Sequence, residues 1–485
     1  MPQVRLARVH EHASPQALSL FLVFLLIAVR LATSWSRAER LLNKLPSPPY
    51  RLPVIGHLHL VGSLPHVSLR DLAMKHGPDL MLLRLGAVPT LVVSSPRAAK
   101  AVLRTHDHLF ASRPPSAVGD ILFYGNTNVA FAPYGDYWRR TRKIAAIHLL
   151  TNSKVRSFRP ARENEVRLVL AKLRDAATAR TAVDVSQVLS YFSNDVVCHA
   201  VTGRLPREEG RNKLFRELFK TNSKLLSGFN LDDYFPSLAR LGIVRRVVCA
   251  KAVKQRKRWD DLLDDLIHKH ASSKTDMFEA GTDTTYISLD YAMAELMRQP
   301  QVMAKLQAEV RGCKAKGKEM ITEDDLSSMS YLSAVTKETF RLHPSGSLLL
   351  PHFSTDDCDV EGYTIPAGTR LLVNAWALGR DTSYWGWGES AEEFIPERFM
   401  EEAMEADSDY QGNDFRFLPF GSGRRMCPGI NFATVTFKII VANLVYHFNW
   451  ELPPGSPGVD MTELFGMDVH RKEKLLLIPH VAQGI

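Results

Sequence analysis

The sequence predicts a mainly α, α+β body with a small β-rich lobe near its N-terminus, preceded by a single apolar anchor helix. Three observations predict this. Helical periodicity recurs over residues 164–176, 186–202, 277–298, 302–312, 332–342 and 431–448. Residues 80–85 and 89–93 flank Gly86-Ala87 and read as a β-hairpin, and a second β-rich stretch spans 360–373 around an Ile-Pro-Ala-Gly turn. The run ALSLFLVFLLIAV at 17–29 stands ahead of all of them.

The 485 residues are 45% hydrophobic and 23% charged, which excludes disordered and collagen-like chains and allows a sizeable core. No short repeat period is present, so solenoids and propellers are not expected. The net charge of +9 suits an anionic membrane surface or an acidic protein partner. A dense basic stripe with a recognisable module is lacking, and nucleic acid is not expected as a partner. Cys198, Cys249, Cys313, Cys358 and Cys427 are odd in number, scattered and without zinc spacing. That points to a reducing, cytosol-facing compartment.

Each element has a local reason. The apolar run covers roughly 20 Å as a helix, and reaching Trp35 with Arg30 snorkelling lets it span. It lacks the small-residue cleavage site of a signal peptide. Arg30, Arg37, Arg40, Lys44 and Arg51 follow it, against Arg5 and Arg8 before, which keeps the body cytosolic. Residues 1–44 are therefore expected to be the anchor and basic stop. Residues 45–53, beginning Leu-Pro-Ser-Pro-Pro, form a stiff hinge, and 54–485 the catalytic body. Ser95-Pro96 supplies an N-cap and an N1 proline for a helix running towards His106.

The chemistry centres on Phe420-Gly421-Ser422-Gly423-Arg424-Arg425-Met426-Cys427-Pro428-Gly429. A lone cysteine sits in a glycine-rich loop just before an apolar helix, whose N-terminus favours a thiolate. The glycines permit close backbone approach to a flat ligand, and freed amides can donate to the sulfur. The plainer alternative, a buried structural cysteine in a turn, does not account for the spacing. F-x-x-G-x-R-x-C-x-G resembles the haem-binding loop of cytochromes P450 at every defined position.

Three further motifs follow that family's order. Glu338-Thr339-Phe340-Arg341 resembles its E-x-x-R helix, and Phe394 to Phe399 the loop whose arginine, here Arg398, joins that pair. The resemblance implies a buried structural cluster of Glu338, Arg341 and Arg398. Trp138 and Arg142 resemble the W-x-x-x-R helix that contacts haem propionates, with the indole N–H as a donor. Arg425 is a second propionate candidate. His352 stands where many relatives carry an arginine, and its charge there would depend on pH. Cys427 is then the metal ligand, and Trp138, Arg142, His352, Phe420, Gly423, Arg425 and Gly429 the cofactor-binding set.

Ala280-Gly281-Thr282-Asp283-Thr284-Thr285 lies in a helical stretch, where a glycine and a back-bonding threonine are expected to open a kink. Asp283 and Thr284 form an acid–alcohol pair able to relay protons. The resemblance implies a cytochrome P450 fold, haem b on a cysteine thiolate, and oxygen insertion into a C–H bond. It also implies NADPH electrons delivered by NADPH-cytochrome P450 reductase at an endoplasmic reticulum membrane, with membrane lipid, O2 and a small hydrophobic substrate as the other partners. Specificity would sit at 116–133, 346–350 and 465–467. The hinge and the cysteine loop look like the plant A-type group. Residues 350–368 and 53–62 resemble the grass enzymes that hydroxylate indole-derived benzoxazinoid precursors.

One segment departs from the family. The polar run His268 to Thr275 closely precedes Met277, where the family has a linker and the first half of a long distal helix. On the order of 30–40 residues are missing just before Asp276. The alternative is a helix from Trp259 that runs straight on. Two other functions stay open here: a truncated, non-catalytic remnant, and a reductase-independent haem-thiolate isomerase or dehydratase.

Overall fold

The expected hairpin forms as β1 (Leu80–Leu85) and antiparallel β2 (Val88–Val93) in a computed structural model of the chain. The structure describes residues 36–202, 211–227, 230–239, 242–269, 275–313, 319–386, 391–400 and 410–483. The anchor run at 17–29 lies outside them. Ser95 caps the helix Pro96–Lys100, its hydroxyl accepting from the Ala98 N–H at 3.3 Å. The second β-rich stretch does not stand apart. β3 (His352–Phe353) pairs antiparallel with β4 (Arg370–Val373), and β4 lies parallel to β2 in one four-stranded sheet. A parallel pair needs a long crossover, and the whole helical body supplies it.

That body holds α1 (Asp136–Ala145), α2 (Val185–Thr202), α3 (Arg211–Ser227), α4 (Gly242–Lys269), α5 (Thr275–Arg298), α6 (Ser330–Leu342) and α7 (Ile430–His447). α7 is apolar enough to cross a membrane, yet its residues Phe432, Phe437, Ile439, Ile440 and Leu444 are core. It is the central core helix, and it follows the cysteine loop directly. α2 packs closely on α5. A Cβ at Gly281 would lie 3.0 Å from Val197 Cγ2, so the glycine serves helix–helix approach. The expected kink is not there: α5 is unbroken from Thr275 to Arg298. Ala280 is the sixth of its 24 residues, so the threonine-rich motif lies near the N-terminal end and not the middle. The passage from α4 to α5, residues 270–274, lies outside the described residues.

A buried ion cluster ties α6 to the chain ahead of the cysteine loop. Arg341 grips Glu338 through two bonds of 2.7 Å, and both side chains are fully buried. Arg398 stands 3.6 Å from the same carboxylate, which also accepts from the Ile395 N–H at 2.7 Å. Arg341 further donates to the carbonyls of Ala391 (2.6 Å) and Glu393 (2.9 Å). Every charge and most donors are answered, the condition for a buried pair to be tolerated. Removing one partner strands the other. Glu338→Ala is expected to cost about 3–5 kcal/mol in chemical denaturation, and a loss below 1 kcal/mol would contradict this bracing role.

Candidate active site

The cysteine loop is shaped by glycine. Gly421 and Gly423 take φ of +69° and +66°. At Gly423 a Cβ would fall 1.9 Å from the Leu103 carbonyl oxygen, so no other residue fits. The Cys427 N–H closes the loop on the Phe420 carbonyl at 2.9 Å, and the Gly429 N–H points at Cys427 Sγ from 3.4 Å. Burial pushes the Cys427 thiol up, against the favourable pull of that N–H and of Arg142.

Above the loop, Thr284, Thr285 and Ser288 of α5 line a narrow cavity of about 30 Å³ with Phe340, Phe420 and Phe437. Phe420 meets Phe340 edge-on at 5.4 Å. Thr285 bonds back to the Gly281 carbonyl at 2.9 Å, and Ser288 to that of Thr284 at 3.1 Å. Asp283 lies one residue before Thr284. Burial pushes its carboxyl up to about 6, opposed by Arg216 of α3.

The ring of Trp138 on α1 lies against two guanidiniums, Arg425 at 4.3 Å and Arg142 at 5.4 Å. Its indole N–H is committed to the Val129 carbonyl at 2.9 Å, not left for a ligand as expected. Arg425 donates to the carbonyl of Ala111 at 2.6 Å and to that of Ala132, and Arg142 to that of Met426. A third cation joins them, and the sequence reading missed it. Buried Arg113 donates to the carbonyls of Ala130 (2.9 Å), Leu350 (2.8 Å) and Pro351 (2.8 Å). Its signal was faint: an arginine fixed ahead of Pro114-Pro115. Burial, Arg425 and Arg142 hold Arg113 well below the usual guanidinium range, and burial and Arg142 bring Arg425 down to about 10.

His352 adjoins this cluster but adds no charge. Its Nδ1–H donates to the Phe110 carbonyl at 2.9 Å, while burial and Arg113 push the ring down to about 3. The expected pH-dependent cation is thus a neutral ring, and Arg113 carries the charge.

This chain belongs to the cytochrome P450 family, which it matches over residues 46–275 and 271–478. It is a P450 monooxygenase. It is similar to the indole-2-monooxygenase of Zea mays, 54% identical over 483 residues that cover 92% of this chain and 89% of the relative. The 3-hydroxyindolin-2-one monooxygenase of Zea mays is 49% identical over 516 residues, covering 97% and 96%. The indolin-2-one monooxygenase of Zea mays is 48% identical over 517 residues, with the same coverage.

The family implies a haem with cysteine thiolate ligation, and the residues here fit that group. Arg113, Arg142 and Arg425 have no carboxylate in salt-bridge range among the described residues. An anionic ligand edge would answer them, while Cys427 Sγ faces the same loop.

Asp283 has a measurable signature. Its folded value lies above that of an exposed carboxyl, so the folded chain holds the extra proton and loses stability as pH rises from about 4 to 6. Asp283→Asn removes that loss. Its melting temperature relative to the parent is expected to rise by on the order of 1–2 °C between pH 4 and pH 7; a pH-independent difference would contradict the shift.

Proposed function

We propose that this chain inserts one oxygen atom of O2 into a C–H bond of a small indole-type plant metabolite. The second oxygen leaves as water, using two electrons from NADPH through a membrane-bound reductase and two protons. The observation that carries the reading is the cleft in which Thr284 of the distal helix and Phe420 of the cysteine loop share one cavity. The relatives named for indole and indolinone oxidation support the substrate class. The apolar run at 17–29 and the basic residues after it support a single-pass anchor in the endoplasmic reticulum membrane, with the body in the cytosol.

The roles divide by position. Haem iron bound at Cys427 would supply reductive O2 activation. Arg113, Arg142 and Arg425 would hold the propionates, with the Trp138 ring packed against Arg142 and Arg425. Gly423 lets the loop seat against Leu103, and the Gly429 N–H tunes the sulfur. Asp283, its carboxyl pushed up to about 6, takes up and releases a proton closer to neutral pH than an exposed carboxyl does and would relay it towards the cleft beside Thr284. Phe340, Phe420 and Phe437 exclude water from one wall. Glu338, Arg341 and Arg398 fix the loop that leads to Cys427. His352 serves as a neutral backbone tie.

We further infer that on the order of 30–40 residues are missing just before Asp276. The family match supports this, because it falls in two pieces that meet at 271–275. The pairing with the 3-hydroxyindolin-2-one relative extends over 516 positions, against 485 residues in this chain. At least 31 positions, the excess of 516 over 485, therefore have no residue here.

The test is expression in microsomes with reductase, NADPH and indole. The reduced, carbon-monoxide-bound spectrum is expected to show the red-shifted thiolate band, and Cys427→Ser to abolish both band and product. Inserting an apolar segment ahead of Thr275 is expected to raise haem occupancy several-fold. A parent without the band, unimproved by the insertion, would overturn the assignment.

A further inference from the structure

The cysteine loop is held from outside by one stretch of chain. Along residues 103–111 the contacts recur at every fourth residue, and they meet three consecutive loop residues in order. The Leu103 carbonyl oxygen leaves only 1.9 Å for a Cβ at Gly423. Asp107 pairs with Arg424. The Ala111 carbonyl accepts from Arg425 Nε at 2.6 Å. This stretch ends two residues before Arg113, the buried cation whose charge bears on Arg425.

Asp107 does more than pair charges. Its Oδ1 meets the Arg424 guanidinium, while its Oδ2 accepts from the Arg424 backbone N–H at 3.2 Å. Residues Gly423–Arg425 form a 3-10 turn. Such a turn leaves its first N–H groups without partners inside itself. The residue placed to cap them is Ser422, but its hydroxyl is turned away and donates to the Gly412 carbonyl at 2.7 Å. The cap comes instead from Asp107, 317 residues earlier in the chain. The turn then closes with the Met426 N–H on the Gly423 carbonyl at 3.1 Å, and Cys427 follows at once. The ion pair alone is a weak tie, because the Arg424 side chain is 43% exposed and an exposed pair is screened by water. The bond to the backbone is the one that fixes the path of the chain.

We propose that Asp107 is a positioning residue for Cys427: its carboxylate caps the 423–425 turn at the Arg424 amide, and the turn so held sets where the sulfur stands. The proposal rests on the reading that haem iron binds at Cys427. Asp107 acts through the turn, as an outer support that orients a ligand without touching the metal.

Three variants separate the cap from the ion pair. Asp107→Ala removes both. Asp107→Asn keeps an oxygen for the Arg424 N–H and removes the charge. Arg424→Ala keeps the amide and removes the guanidinium. In the haem-free chain, hydrogen exchange at the 424 amide is expected to speed by about ten-fold or more in Asp107→Ala, and by under about five-fold in the other two. In the haem-loaded protein, reduced chemically and without reductase, Asp107→Ala should lose most of the red-shifted carbon-monoxide band to the blue-shifted band of iron without thiolate. Asp107→Asn and Arg424→Ala should keep the parent's band. An Asp107→Ala variant that matches the parent in both readouts would overturn the proposal. An Asp107→Asn or Arg424→Ala variant that falls as far as Asp107→Ala would overturn it too, since the ion pair would then be the tie. So would a parent whose 424 amide exchanges as fast as an exposed one, a result that needs no variant to fold. A parent without the red-shifted band, with the exchange pattern intact, would instead reject haem at Cys427 and leave the cap standing.

Discussion

Two guanidiniums over the Trp138 ring and a third close by, with no carboxylate in salt-bridge range among the described residues, impose the central constraint on this molecule. Arg113, Arg142 and Arg425 come from three separate segments and converge on Trp138 and its neighbours. Burial and mutual repulsion pull Arg113 and Arg425 below their ordinary range, the mark of cations in a medium that solvates them poorly. Backbone carbonyls satisfy many of their N–H groups, but carbonyl dipoles do not neutralise charge. Such an arrangement is stable when an anion completes it. The carboxylates of a haem are of the right sign, and Cys427 stands on the loop that carries Arg425.

Other features hold that centre in place. Gly423 lets the loop press on Leu103, and the α6 cluster of Glu338 and Arg341 fixes the chain leading into it. Asp290, bonded to both Ser186 and Arg471, locks the distal helix to α2 and to the C-terminal hairpin. These pins answer their charges internally, whereas the Trp138 cluster leaves its charge open. That contrast separates scaffold from site. Asp283, one residue before Thr284 on the distal helix, has its carboxyl pushed up to about 6 by burial, against the pull of Arg216.

What the sequence made legible was local. The cysteine loop fits within ten residues, the E-x-x-R pair within one helical turn, and the hairpin at 80–93 within one alternation. The structure forms each at the expected place. What stayed hidden depended on partners far along the chain. Nothing near Trp138 says that its N–H belongs to Val129, and nothing near His352 says that burial and Arg113 hold it neutral. Gly281 looked like a helix weakener because Val197, the side chain it makes room for, lies on another helix. Arg113 carried no motif and became visible only when folding placed it beside two other cations.

The account is tested most directly by the melting temperature of the purified chain with protoporphyrin IX and, separately, with its dimethyl ester. The two differ only at the propionate edge, where the ester removes both charges and adds two methyl groups, and neither carries iron, so Cys427 contributes equally to both. If the guanidinium cluster is built for that edge, the free acid raises the melting temperature by several degrees and the ester does not. Equal stabilisation by both would mean that the ring is held by apolar packing alone and that the cluster has another purpose.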